Sequence, residues 1–112
     1  MKKDFAEFGD FMKLDIRVGK VEKAQALENS LKLLELTVNF GEDYGTTTIL
    51  AGLQQFFKPE ELEGNQYLFI ANLQPRPMAG SVSNGMLLAA DNQNGPILIP
   101  VPESLKPGDF LR

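Results

Sequence analysis

The chain contains no cysteine, no histidine and no tryptophan in its 112 residues. Without cysteine there are no disulfides and no thiolate metal ligands. Without histidine, zinc sites lose a common ligand and Ser–His or Cys–His catalysis loses its base. No Gly-x-x-x-x-Gly-Lys phosphate loop occurs. Glu60 and Glu61 are adjacent on a predicted turn and do not converge as an acid/base pair, while Asp91, Glu103 and Asp109 fall in turns or the tail. The expectation is a chain with no catalytic residues, no cofactor and no metal, hence not an enzyme in isolation. Apolar runs are too short to span a membrane, and Asp4, Glu7 and Asp10 interrupt any signal-peptide core after Met1-Lys2-Lys3. A soluble, cytoplasmic protein is expected, and Met1 with a short tail gives the expectation of a complete free-standing chain.

Apolar residues make up 43% of the sequence, enough for one self-sufficient core, so a single domain over residues 1–112 is expected. The net charge of −4 is unevenly spread: residues 1–32 carry +1 and the remainder −5. Phosphate binding depends on a local patch rather than on this total.

The element pattern is mostly period two. Asp4 to Phe11 reads as a short helix capped by Asp4. From Leu14 the alternation is β-like, with Gly19 marking a bulge because Val21 falls out of phase. Leu34, Leu36, Val38 and Phe40 make one apolar strand face; Gly41 to Gly45 is a turn, and Thr46–Leu50 is strongly β-prone. Ala51–Phe57 and Pro59–Leu62 read as two short helical turns, the second opened by proline. Strands are predicted at Gln66–Leu73, Met86–Ala90 and Ile97–Val101, with a Pro- and Gly-punctuated tail. Five short strands with a small helix between the third and fourth is the layout of an OB-fold Greek-key barrel; another small barrel or sandwich fits the pattern as well.

The densest feature is the loop Asn72-Leu73-Gln74-Pro75-Arg76-Pro77-Met78-Ala79-Gly80-Ser81-Val82-Ser83-Asn84-Gly85-Met86, with one cation held between two prolines. Three further blocks precede it: Asp15-Ile16-Arg17-Val18-Gly19, Ser30-Leu31-Lys32-Leu33 and Ile49-Leu50-Ala51-Gly52-Leu53. Together these four blocks, in order and across nearly the whole chain, resemble the tRNA-binding domain family. Members are appended to methionyl-tRNA synthetases or stand alone in small dimeric proteins. The resemblance implies an OB barrel that docks on tRNA by shape and phosphate contacts, a homodimer built on the C-terminal strands around Ile97–Glu103, and service to methionyl-tRNA synthetase as a β subunit or trans-acting factor. The chain departs from the family pattern at Leu31, where an acid is usual, at Pro77, often basic, and at Leu27-Glu28, where many relatives carry His-Pro. All three make the RNA face less polar or less cationic. The acidic balance, Leu31 and Pro77 lean toward an alternative from the same fold family, a CsaA-like chaperone module binding unfolded or exported polypeptides.

The expected RNA-binding residues are Lys32, Asn72, Arg76, Ser83 and Met86. Arg76 suits a bidentate phosphate grip, or an ion pair with a nearby acid. Lys32, in the loop after the first strand, is a phosphate contact or a solvated lysine. Asn72 reads a base edge or closes the turn, and Ser83 bonds phosphate or ribose, or simply the turn. Met86 packs on an unstacked base or fills the barrel. For Ser83 and Met86 both to reach RNA, Gly85 must bulge or the strand must begin at Met86. Arg17 is expected to pair with Asp15, Tyr44 to be a free loop residue or an exposed stacking platform for a base, Gly52 to end the third strand or admit close backbone approach, and the phenylalanines to lie in the core or a dimer interface.

Overall fold

The computed structural model describes all 112 residues. Its elements in chain order are α1 (Phe8–Met12), β1 (Ile16–Ala26), β2 (Leu34–Asn39), β3 (Thr46–Ala51), α2 (Pro59–Leu62), β4 (Gln66–Ile70), β5 (Arg76–Met78), β6 (Ser81–Ser83), β7 (Met86–Leu87), β8 (Ala90–Asn92), β9 (Gly95–Ile97) and β10 (Phe110–Leu111). The main sheet runs β3-β2-β1-β4-β7, and all of its pairings are antiparallel.

The sheet curls until its edges meet. Asn84 N–H donates to Thr48 O at 2.9 Å and Leu50 N–H donates to Ser83 Oγ at 3.0 Å, so β3 is stitched to the segment that enters β7. The result is a nearly closed barrel of five strands with α2 between the third and fourth. Curling needs a sharply bent first strand, because β1 pairs with β4 over residues 16–20 and with β2 over residues 20–26. The bend is a bulge at Glu22: Val21 pairs with Val38 and Lys23 with Thr37, leaving Glu22 unpaired between them. The sequence reading placed this irregularity at Gly19. Gly19 instead pairs regularly with Tyr67 and faces inward, where a Cβ would lie 2.6–2.8 Å from Val38, Phe40 and Phe69. Its phase with Val21 is therefore regular, and the shift falls between Val21 and Lys23.

The interior is filled by the alternating faces read from sequence. Leu34, Leu36, Val38 and Phe40 are fully buried, joined by Val21, Ile49, Leu62 and Phe69. Phe40 and Phe69 meet edge-on, with centroids 5.3 Å apart. α2 plugs one end through Leu62, with Glu61 accepting from Lys58 N–H at 2.7 Å across its first turn.

Several boundaries differ from the sequence reading. α1 begins at Phe8 with Glu7 as its cap rather than at Asp4; Asp10 accepts from Glu7 N–H at 3.2 Å, and no residue of the helix is buried. Ala51 belongs to β3, and the turn beyond it is only Phe56 and Phe57 N–H on Leu53 O. β4 ends at Ile70: Ala71 N–H still reaches Asp15 O in register, but Asp15 N–H is taken by the Asn72 side chain, so the ladder is not continued. The strand expected from Met86 to Ala90 is cut at Leu87, and the one expected at Ile97–Val101 ends at Ile97, after which Pro100 and Pro102 lack N–H groups for a ladder. The C-terminus instead returns as β10 beside Ile16 and Arg17.

Candidate nucleic-acid interface

The loop from Asn72 to Met86 folds into a structured lobe on the barrel rim. Its entry is latched by Asn72, whose Oδ1 accepts from Asp15 N–H and whose Nδ2 donates to Lys13 O, both at 2.8 Å. Its middle is the β5–β6 hairpin, turned by Ala79 and Gly80 with φ of 49° and 84°, the signs of a type I′ turn. Arg76, exposed, opens the hairpin opposite Ser83. Its exit is the seam: Ser83, 4% exposed, accepts from Leu50 N–H and donates to Gly85 O at 3.0 Å. β7 begins at Met86, the condition set for both residues to reach RNA, yet only one of them reaches the surface. Met86 is exposed while Ser83 is buried.

A cleft of about 100 Å³ opens between this lobe and β3, and Arg76, Ser83 and Met86 all line it. Lys32 lies in the neighbouring loop between β1 and β2. Ser30 Oγ accepts from Lys32 and Leu33 N–H, and Gln54 reaches over to donate to Ser30 O and Leu33 O at 3.0 and 2.6 Å. This loop meets the hairpin at its tip, where Asn29 Nδ2 lies 3.4 Å from the position of a Cβ on Gly80. Ser81 also donates to Glu35 at 2.7 Å. The two loops form one surface. Neither Arg76 nor Lys32 makes an ion pair, since both ion pairs in the chain belong to Arg17. The intramolecular pairing considered for Arg76 is thus absent.

Of the five expected residues, Arg76, Lys32 and Met86 present free groups on this surface. Asn72 and Ser83 have their hydrogen-bonding groups engaged by the chain itself, so their geometry is that of supports. Gln54 and Gln74 were not singled out from sequence. Gln54 staples a loop 21–24 residues away, which no local pattern reveals.

Across the start of β1 from Asn72 lies the Arg17 cluster. Arg17 donates to Asp15 at 2.7 and 3.1 Å, to Asp43 at 3.1 Å and to Gly108 O at 3.0 Å, with the Tyr44 and Phe110 rings 5.2 and 5.4 Å from the guanidinium. Tyr44 is not a free loop residue: its hydroxyl donates to Asp15 at 2.5 Å. The hydrogen bond from Arg17 holds the Asp15 carboxyl below 3.8, and the bond to Asp15 holds the Tyr44 phenol above 10.0. A depressed carboxyl stabilises the fold above its unfolded value and loses that contribution as pH falls through the folded value. A raised phenol stabilises below its unfolded value and loses that contribution as pH rises through the folded one. The midpoint of thermal unfolding is therefore expected to fall below pH 3.8 and above pH 10.0. In Tyr44→Phe the alkaline decline is expected to shrink; an unchanged alkaline limb in that variant would disconnect Tyr44 from it.

A small β-barrel carrying free cations on two rim loops defines an OB-fold binding module. The chain belongs, more narrowly, to the family described as “Putative tRNA binding domain”, whose profile matches residues 16–110. It is 48% identical over 107 residues to a methionine–tRNA ligase of Bacteroides fragilis, covering 95% of this chain and 16% of that protein. A solved MetRS-related protein from Pyrococcus horikoshii superposes with a TM-score of 0.90 at 36% identity, covering 98% of this chain and all of that one. A CsaA chaperone protein from Picrophilus torridus superposes at 0.88 with 27% identity, over 96% of this chain and all of that one. The domain the profile describes is a binding domain rather than a catalytic one, and no group of three metal-ligating side chains is present.

Proposed function

We propose that the chain binds tRNA through the surface made by the loop 27–33 and the lobe 72–86, with Arg76 and Lys32 on phosphates and Met86 on an exposed base. The observation that carries the reading is the pair of exposed cations without intramolecular partners, on the loops an OB barrel uses for oligonucleotides. Asn72 and Ser83 serve that surface by fixing its entry and exit. The role is non-catalytic and cytoplasmic: the domain raises the local concentration of tRNA for methionyl-tRNA synthetase, as a β subunit or a trans-acting partner. The similarity to a methionine–tRNA ligase and to a MetRS-related protein supports this service.

With only Arg76 and Lys32 as cations on these two loops and with Glu28 nearby, one site is weak, and pairing two sites in a homodimer raises the apparent affinity. A cleft of about 460 Å³ supports a dimer: the exposed Phe11, Met12, Leu14, Phe110 and Leu111 line it together with Lys13, Asp15, Asn72 and Arg112, and Phe5 and Phe8 are exposed as well. Sedimentation equilibrium is expected to give two chains per particle; a monomer at micromolar concentration would remove this part of the reading.

Labelled tRNA titrated at two salt concentrations tests the binding itself. Saturable binding that weakens with salt is expected, and Arg76→Ala should weaken it about tenfold and lower the salt slope by about one. Absence of binding at low salt would contradict the proposal. The second reading, a CsaA-like module for unfolded polypeptide, is favoured by the exposed apolar side chains of that cleft and the CsaA superposition. Protection of a denatured polypeptide from aggregation, without tRNA affinity, would select it.

A further inference from the structure

The cleft beneath the lobe has an uneven lining. Its apolar side chains are Leu50, Leu73, Met78 and Met86, with no aromatic ring and no acid among its residues. Three polar side chains face it. Ser83 is saturated by Leu50 N–H and Gly85 O, but the Gln74 carboxamide and the Arg76 guanidinium make no hydrogen bond within the chain and are exposed. Gln74 thus holds a free donor and a free acceptor beside a free cation, over a patch formed by Leu73, 37% exposed, and Met86, 44% exposed.

We infer that this cleft receives one unpaired nucleotide of an RNA loop, with Gln74 bonding the edge of its base, Leu73 and Met86 packing on its face and Arg76 holding its phosphate. The inference deepens the tRNA reading and rests on it. Size and chemistry select the occupant. A space of about 100 Å³ suits a single ring system rather than a stack. An acid-free lining with an unneutralised guanidinium favours an anionic ligand. A carboxamide offers the paired donor and acceptor that a base edge demands. Duplex RNA cannot fill the site, because its bases are stacked and its major groove is too deep and narrow for side chains to read. Because no aromatic platform lines the cleft, packing on the base comes from aliphatic and thioether groups.

The test compares two RNAs with equal numbers of phosphates, a hairpin with an unpaired loop and a blunt duplex, in anisotropy titrations. The full chain is expected to bind the hairpin at least about tenfold more tightly. Gln74→Ala and Met86→Ala are each expected to weaken hairpin binding about three- to tenfold, leaving the duplex affinity and the salt slope unchanged. Both side chains are exposed, so the variants should melt as the parent does. Equal affinity for the two RNAs, or equal losses on both, would overturn the nucleotide site and the Met86 base contact while leaving tRNA binding through Arg76 and Lys32 on phosphates intact. Failure of the parent to bind either RNA, or displacement of the hairpin by a denatured polypeptide, would overturn both.

Discussion

Gly85→Ala is expected to destabilise the chain by about 3 kcal/mol, the upper part of the range for overpacking a filled interior. A Cβ there would lie 2.6 Å from Ile70 O and 3.1 Å from Ile49 Cδ1. The isoleucine methyl can swing aside. The carbonyl cannot, because Ile70 is held in β4 between Ile16 of β1 and Met86 of β7. Relief therefore requires the segment around Gly85 to lift away, which pulls on the bonds from Asn84 to Thr48 and from Leu50 to Ser83 that close the barrel. The same movement displaces Met86 from the cleft, so RNA affinity should fall with stability. Gly52→Ala is the matched control, since a Cβ there meets nothing within 4 Å and φ is ordinary, so a change within about 0.5 kcal/mol is expected. Urea denaturation of both variants measures the difference; equal stabilities would mean that the seam is not tightly packed.

Arg17→Ala should cost about 3 kcal/mol, a comparable loss with a different origin. The guanidinium joins three separate segments: the start of β1 through Asp15, the β2–β3 turn through Asp43 and Tyr44, and the C-terminal return through Gly108 and Phe110. The Asp43 arm contributes little, because that carboxylate is 70% exposed. The greater part comes from the two bonds to Asp15 and the bond to Gly108 O, together with the two ring contacts. Arg17→Lys keeps the charge but loses the planar fork, so it is expected to recover less than half of the deficit. Hydrogen exchange at Phe110 and Leu111 should quicken in Arg17→Ala, since β10 pairs only with β1. A loss below about 1 kcal/mol would show that the cluster decorates the barrel without holding it.

Much of this architecture was legible from residue order because it depends on local periodicity. Leu34 to Phe40 alternates cleanly, and its buried face is the one the sequence indicates. Pro59 announces α2 for the reason it occupies that position, its fixed φ and missing N–H. The β5–β6 hairpin was hidden by the opposite effect. Pro75 and Pro77 argue against a strand, and Ala79 is an unusual residue for a turn that needs positive φ. An edge hairpin tolerates both, because one face of its ladder is open to solvent. The bulge at Glu22 was misplaced since a glycine is the obvious irregularity in a strand, whereas Gly19 is there to make room for Phe40 and Phe69.

The candidate site was legible as a set of residues and less so as a set of roles. Arg76 and Met86 stand exposed as their residue types suggest, an unpaired cation and an uncovered apolar side chain. Asn72 and Ser83 were equally open to binding or support until their partners were known. Those partners, Asp15 and Leu50, lie 57 and 33 residues away in sequence, so only the closed barrel reveals them. Gln74 escaped notice for a related reason: its interest lies in having no partner within a cleft that forms only when β3 approaches the lobe.

The most direct test of the central claim, that the two rim loops form the RNA surface, is a map of backbone amide shifts in the labelled protein as tRNA is added. The largest changes are expected at residues 29–33, 73–78 and 85–87, with little change at residues 5–12 and 108–111. Changes concentrated on those terminal segments, with the rim loops silent, would contradict the claim.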